Sequence, residues 1–382
     1  MKEWQTKNFS DVLDIKNGRN QKEVESDSGE YPIYGSAGNV MGYANSYICE
    51  AGTTIVGRKG NINSPIYSET RFWNVDTAFG LAAKPGLDSK FLYYYCISYD
   101  FSALNRGTTI PSLVKSELLG ISIPFPPLPE QHRIVAILDA AFDHIATARA
   151  NCEANLLNAR AIFESHLQAV FTQRGDGWVE KPLNQICSIK HGFAFEGSDF
   201  SNSVEKGSPI VITPGNFTED GKLLFNDKNT KRFSGVPLEA FRFTFGDLVV
   251  VMTDLSSKMK ILGKPAFIET NNVLHNQRVG RVQFFDKSVQ NRLVYYYMMS
   301  DKFLNGIKAS ATGTMVRHTA PTRILSSVMS YPCELEKQIS VIKKLDTLKA
   351  ETQHLASLYQ RKLQALDDLK KSLLNQAFGG LL

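Results

Sequence analysis

The sequence predicts an α+β chain. Two strand-rich domains are separated by two long antiparallel helices that form a coiled-coil-like spacer, and the whole is an internal pseudo-twofold repeat. Three observations carry this. First, an opening pattern occurs twice: Trp4, Lys7, Phe9, Val12, Ile15, Lys16 and Gly18 are answered at the same spacing by Trp178, Lys181, Leu183, Ile186, Ile189, Lys190 and Gly192. Second, each copy closes on a long segment without proline or glycine that has a helical seam. Third, the residues between read as short β-rich runs broken by Gly, Asn, Ser and Pro.

The repeat continues in order. Tyr93-Tyr94-Tyr95 is matched by Tyr295-Tyr296-Tyr297, with Phe101 and Phe303 following. Gln131, Ile134, Val135, Leu138 and Asp139 are matched by Gln338, Val341, Ile342, Leu345 and Asp346, and Leu167–Phe171 by Leu374–Phe378. A period near half the chain is far longer than a solenoid repeat, so each copy is a whole domain plus its connector. Two similar modules suit a ligand that itself has two separated parts.

Taken in order, residues 1–128 form the first domain. Tyr31–Tyr34, Thr53–Val56 and Thr77–Leu81 read as strands, Ser89–Asp100 as a short helix, and Ile121–Pro124 as a last strand. Pro124–Pro129 stops that strand, and proline is welcome at the first helical turn. We read it as a rigid joint aiming the head, rather than a polyproline ligand.

A spacer helix over 129–174 follows. Its seam runs Ile134, Leu138, Ala141, Ile145, Ala148 and Cys152, slips near residue 155, and resumes at Leu156, Ala159, Phe163, Leu167 and Val170. Steps of four and three with one stutter describe a helix packing on a partner helix. Arg174–Gly177 ends it. Residues 175–334 form the second domain, with strands in Gly246–Met252 and Arg278–Phe284. The second spacer helix, 335–382, has a seam at Val341, Leu345, Leu348, Thr352, Leu355, Tyr359, Leu363, Leu366, Leu369 and Leu373, and Gly379-Gly380 closes it. Each helix has roughly 40 residues and is therefore about 60 Å long. Neither can bury its stripe on a small domain alone, so the two are expected to pair within the chain, rather than on their own heads or between chains.

Bulk properties agree. A length of 382 residues allows two to three domains, and 43% apolar content with mixed charge describes a globular chain. No apolar run is long enough to span a bilayer, and Met1-Lys-Glu-Trp4 is not a signal peptide, so a cytoplasmic location without membrane contact is expected. Cys49, Cys96, Cys152, Cys187 and Cys333 are scattered, which argues against a zinc site or disulfide framework. A net charge of +5 permits nucleic acid without demanding it.

In combination these features are quite specific. The chain resembles the specificity (S) subunit of type I restriction-modification systems over essentially its whole length. The resemblance rests on the W-x-x-K-x-F/L opening, on Tyr34–Gly38 followed by Gly57-Arg-Lys-Gly60 and Asp76–Phe79, on Gly107–Leu113 leading to Ile123–Gln131, and on the two-copy layout with long helices. The second module departs from it at Gly313–His318 and Cys333-Glu-Leu335, and lacks Gly-Arg-Lys-Gly. The resemblance implies two target-recognition domains with helical spacers, reading an asymmetric bipartite site in double-stranded DNA without catalysis of their own. It further implies two modification (methyltransferase) subunits that supply S-adenosylmethionine binding and adenine methylation, and restriction/translocase subunits that add cleavage. Exposed helix residues such as Arg133, His144, Arg149 and Arg160 are docking candidates.

The residues themselves suit that reading. There is no Asn/Asp-Pro-Pro-Tyr/Phe motif, no nucleotide-binding glycine loop, and Gly57-Arg-Lys-Gly60 lacks the rest of a P-loop. Holding and reading DNA needs cations, hydroxyls, amides and forked donors on exposed turns. In the first module the candidates are Tyr34, Ser36, Arg58, Lys59, Asn61 and Asn63. In the second they are Thr253, Lys258 and Lys260, then Asn276, Gln277 and Arg278, then Arg317 and His318. Against each stands a plainer role: solvated loop cations at Arg58 and Lys59, turn capping at Asn276 and Gln277, a charged loop at Arg317. The tyrosine trios suit packing better than base stacking, because consecutive helical positions point in different directions. The helix pair would act as a ruler for half-sites centred about 10 bp apart. Two other classes remain open: a non-enzymatic coiled-coil adaptor for proteins, and a self-sufficient methylase or nuclease built from dispersed residues.

Overall fold

The computed structural model describes residues 4–172, 175–200, 207–235 and 238–382. Arg174, expected to end the first long helix, and the Met1–Glu3 opening lie outside them. The chain divides into two compact units, Met1–Asn155 with Leu358–Leu382, and Leu156–Ser357. Each unit therefore holds one strand-rich head and a part of both long helices. No helix among the described residues is long and apolar enough to cross a membrane.

In the first unit a short helix α1 (Phe9–Val12) leads into an antiparallel sheet ordered Leu13–Asn17, Ala78–Ala83, Thr53–Gly57, Ile66–Ser68. A second sheet is ordered Val40–Ala44, Tyr31–Tyr34, Trp73–Asn74, and a third pairs Gln5–Asn8 with Ser122–Phe125. Helix α2 (Ser89–Ser98) starts because the Asp88 carboxylate accepts the Phe91 N–H at 2.8 Å, and it buries Phe91, Leu92, Tyr94, Tyr95 and Cys96 on the large sheet. Helix α3 (Lys115–Leu119) precedes the last strand. Then α4 runs unbroken over Leu128–Thr172.

The second unit repeats the plan. Its large sheet is ordered Cys187–His191, Val279–Phe284, Leu248–Val251, Pro265–Phe267; its second is Lys231–Arg232, Ile210–Val211, Val273–Leu274; and Trp178–Pro182 pairs with Val328–Pro332. Helices α5 (Asn291–Met299), α6 (Asp301–Ala309) and α7 (Pro321–Leu325) follow, and then α8 (Leu335–Phe378). Apart from the added pairing of Thr253–Asp254 with Arg317–His318 in the second unit, the two heads share one sheet topology.

How each head holds the helices explains the repeated residues. Gln131 is fully buried at the start of α4. Its Oε1 accepts the Asp88 N–H at 2.7 Å, and its Nε2 donates to the Gly86 and Pro126 carbonyls at 3.0 and 2.8 Å. Gln338 does the same at the start of α8. It accepts from the Gln290 N–H at 3.0 Å and donates to the Ser288 and Pro332 carbonyls at 2.9 and 3.0 Å. About two turns on, Asp139 takes the Tyr94 hydroxyl and the Lys90 ammonium, as Asp346 takes the Tyr296 hydroxyl and the Arg292 guanidinium. The third tyrosine of each trio donates to a strand carbonyl: Tyr95 to Ser122 at 2.6 Å, Tyr297 to Val328 at 2.9 Å. The trios pack as expected.

The far end of the other helix completes each core. In the first unit Phe378 of α8 meets Phe91 and Tyr95 edge-on, with ring centroids 5.1 and 5.2 Å apart. In the second, Phe171 of α4 meets Tyr297 at 5.5 Å. Within the first unit the two helices run antiparallel: Arg149 bonds Asp367 at 2.6 Å, and Arg133 bonds the Leu382 carbonyl at 2.7 Å. The slip near residue 155 falls where α4 passes from one unit to the other.

The seam of α8 needs a correction. Leu355 and Leu369, expected inside, are 39% and 47% exposed. After Thr352 the inward positions step instead through Ala356, Tyr359, Leu363, Leu366 and Lys370. Lys370 lies over the Phe142 ring, its Nζ 4.7 Å from the centroid, so a lysine stem fills the place that heptad counting gave to a leucine.

Two expectations follow. Gln131→Leu keeps most of the volume but strips the partners from a buried N–H and two carbonyls, so it should destabilise the first unit by roughly 2–4 kcal/mol, read in urea denaturation. The second concerns Lys349, whose Nζ bonds the Tyr295 hydroxyl and the Asp220 carbonyl at 2.5 and 3.1 Å, and whose burial pushes its pKa down to about 8. A folded pKa below the unfolded one means that stability is fully present above about 10.5 and is lost as pH falls through about 8. Lys349→Met should flatten that slope in thermal melts between those pH values.

Candidate nucleic-acid interface

Three chain segments meet at one end of the large sheet in each head. In the first they are the turn after Gly57, the turn before Ala78, and the loop 105–113. Arg58 and Lys59 donate their backbone N–H groups to the Thr77 carbonyl at 2.7 and 3.2 Å, Gly60 donates to Pro111 at 2.9 Å, and Leu113 donates to Arg58 at 2.8 Å. Lys59 and Ser112 form a β-bridge. In the second head Met252 donates to Arg278 at 3.0 Å, Thr319 donates to Met252 at 2.9 Å, and Thr253-Asp254 pairs with Arg317-His318. The hydrogen bonds equate Arg58 with Met252, Lys59 with Thr253, Thr77 with Arg278, Pro111 with Arg317 and Ser112 with His318.

The same backbone frame thus carries different side chains. Where the first head offers Arg58, Lys59, Asp76 and Thr77, the second offers Thr253, Gln277 and Arg278. Two glycine positions keep the frame in register. A Cβ on Gly18 would lie 1.8 Å from the Val75 carbonyl oxygen, and one on Gly192 2.3 Å from that of His275. A Cβ on Gly107 would lie 1.8 Å from the Ile110 oxygen, and one on Gly313 2.0 Å from that of Val316. These are the closures that the repeated Gly-Thr turns require.

The structure sorts the residues expected from sequence. Ser36 sits beside Gly57 and Gly60, its Cβ and Oγ 3.2 and 3.5 Å from where their side chains would begin, and so joins Arg58, Lys59 and Asn61 in one cluster. Lys59 and Asn61 are exposed, and Arg58 is half-exposed with its guanidinium on the Asp76 carbonyl at 3.3 Å. Tyr34 is more structural: its ring meets Phe72 edge-on at 5.5 Å, while its carbonyl accepts from Val75 at 3.0 Å. Asn63 ties its loop to Asp100 and Ser102 at 2.8 and 2.7 Å.

In the second head Gln277, Arg278 and His318 are exposed around the frame. Thr253 is buried, its hydroxyl 3.0 Å from His318 Nδ1. Asn276 is 8% exposed, and its Oδ1 accepts the Arg278 N–H at 2.9 Å, so its amide oxygen caps the turn. Lys258 and Lys260 lie on the loop after the frame; Lys260 pairs with Glu219 at 2.8 Å. Arg317 is half-buried, and its Nε has no hydrogen-bond partner among the described residues. Beside the frame, His275 donates through Nε2 to the Val279 carbonyl at 2.7 Å, and burial pushes its pKa down to about 4.

Sequence reasoning passed over the residues that long-range closure delivers: Asp76, Thr77 and Ser112 in the first head, and the loop 312–316 in the second. The signal for them was the repeated Gly-Thr pair at Gly107 and Gly313.

Residues 1–154 match the family model of the type I restriction modification DNA specificity domain. The chain is 24% identical over 348 residues to the type I restriction enzyme MjaVIII specificity subunit of Methanocaldococcus jannaschii, covering 86% of this chain and 76% of that one. It is 33% identical over 145 residues to a candidate type I restriction enzyme specificity subunit of Haemophilus influenzae, covering 36% of this chain and 37% of that relative. It is 23% identical over 207 residues to the EcoBI specificity subunit of Escherichia coli, covering 54% and 40%. The chain thus spans well under half the length of two of these relatives. The fold is shared with a structure solved for complex assembly and conformational transition of the type I R-M system, with a TM-score of 0.77, 16% identity and coverage of 100% and 99%. It is shared less closely with the HsdS subunit of Thermoanaerobacter tengcongensis, at 0.59, 17%, 100% and 98%. The first module thus matches the type I restriction modification DNA specificity domain, and across both modules the chain is similar to a specificity subunit of those systems.

Proposed function

We propose that the chain is the DNA-reading subunit of a type I restriction-modification complex. Each head reads one half of an asymmetric bipartite target, mostly from the major groove, and the chain itself catalyses nothing. Two modification subunits supply S-adenosylmethionine and methylate adenine, and restriction/translocase subunits add cleavage. The observation that carries this reading is the frame that recurs in both heads with different exposed side chains. A shared scaffold with divergent polar tips is what two unlike half-sites require. An adaptor that bound the same protein twice would keep the tips alike.

Partner docking has support on the helices. His144 and Arg160 are exposed on α4, while Arg133 is engaged by Glu130 and Arg149 by Glu153 and Asp367. Leu157 and Ile162 are 66% and 51% exposed in the second unit, apolar side chains that suit protein contacts.

Sequencing of methylated adenines in cells with and without this chain tests the reading. The expected outcome is loss of one set of split sites whose halves differ. An unchanged methylation map, or a single palindrome, would overturn it. A second expectation is local. Arg58→Ala with Lys59→Ala should weaken DNA binding and reduce the slope of log K against log salt by up to about 2, measured by anisotropy titration.

A further inference from the structure

The loops at the rim of the frame carry a feature that hydrogen-bond readout does not use. We propose that each head bears an apolar wedge, Ile110-Pro111 in the first and Met315-Val316 in the second, which enters a base step of the duplex beside the half-site. The inference rests on the reading of DNA as the ligand and goes beyond it, because it assigns the loop tips to deforming the duplex rather than to recognising base edges.

The wedges overlap in the repeat: Ile110 answers Val316, while Met315 stands in the place of Thr109 and Pro111 in that of Arg317. Arg106 N–H donates to Ser112 at 2.9 Å and Thr312 N–H to His318 at 3.0 Å, closing the two loops at the same register. The Gly107 and Gly313 turns pull each loop tight, so the tip is held by backbone. Arg106 also bonds Glu117 through Nε at 2.7 Å, which braces the first loop from its base.

At these tips the side chains are apolar and open. Ile110 is 60% exposed and Met315 79%, the highest value among the large apolar side chains of the described residues; Val316 is 37% exposed, and Pro111 is exposed. Exposed apolar surface on a braced loop is unfavourable in water and marks an interaction site. Ile, Met and Pro are among the residue types that proteins drive between base pairs, where partial unstacking bends the duplex.

The surroundings select nucleic acid over an apolar protein pocket. Thr108, Thr109 and Thr314 stand exposed beside the tips. Lys59 is bridged to the base of the first loop. At the base of the second, Arg317 holds a buried Nε–H without a partner and His318 is exposed. A phosphate oxygen would satisfy that donor; an apolar groove would not.

The test uses the full chain in its assembled complex and a duplex built from the methylated site, with 2-aminopurine placed at each step in turn. Binding should raise fluorescence at one step in or beside each half-site. Ile110→Ser should abolish the rise at the first half only, and Met315→Ser at the second only, each with a roughly tenfold loss of affinity and an unchanged salt slope. Ile110→Val and Met315→Leu should retain the signal, which separates the wedge from loss of folding. Tight binding without a step-localised rise, or a rise that survives the serine variants, would overturn the wedge while leaving the DNA-reading role intact. Serine variants that fail to assemble with the partner subunits would show the tips to be protein contacts and overturn it too. A correctly assembled complex that binds no such duplex would remove the reading and the wedge together.

Discussion

The structure depends on a buried glutamine used twice. Gln131 and Gln338 each tie the first turn of a long helix to the strand that precedes it and to the loop that opens the tyrosine helix. A buried carboxamide satisfied on both ends gives orientation as well as attraction, since its acceptor and donor must each find their own partner. An apolar residue here could fill the space without fixing the angle. Any reading of a ligand by the loops inherits its aim from this joint.

Around the joint, chemistry follows the repeat where geometry matters and departs from it where geometry is indifferent. The Asp139–Tyr94 and Asp346–Tyr296 contacts are kept, with Lys90 and Arg292 interchanged as the cation. Phe142 meets Tyr94 edge-on at 5.3 Å in the first head, whereas at the corresponding place in the second Lys349 bonds Tyr295. The rim loops go further and share little beyond backbone.

Much of this was legible in the chain. Helical segments announce themselves through absent proline and glycine, and α4 and α8 are strongly periodic. The repeated Gln, Asp, Tyr and Phe were visible as recurrences, but their partners were not, because Gln131 acts on Gly86 and Asp88 across more than forty residues. Leu355 and Leu369 were misplaced because counting heptads cannot sense a lysine stem lying on an aromatic ring. At the candidate interface, residue type was readable and burial was not. Thr253 and Asn276 look like exposed polar residues until strand pairing and a capped turn enclose them. The frame itself arises from three separate stretches of chain, Lys59 meeting Thr77 and Ser112 and Met252 meeting Arg278 and Thr319, which no local pattern encodes.

The placement of Phe171 and Phe378 has a thermal consequence. The helix that begins on one head ends as a ring seated among the tyrosines of the other. Loosening either head deprives the opposite end of a long helix of its anchor, and that helix is covalently continuous with the neighbouring core. Heat should therefore melt the chain with more cooperativity than two independent beads on a string, and a lesion deep in one module should lower the transition of the other.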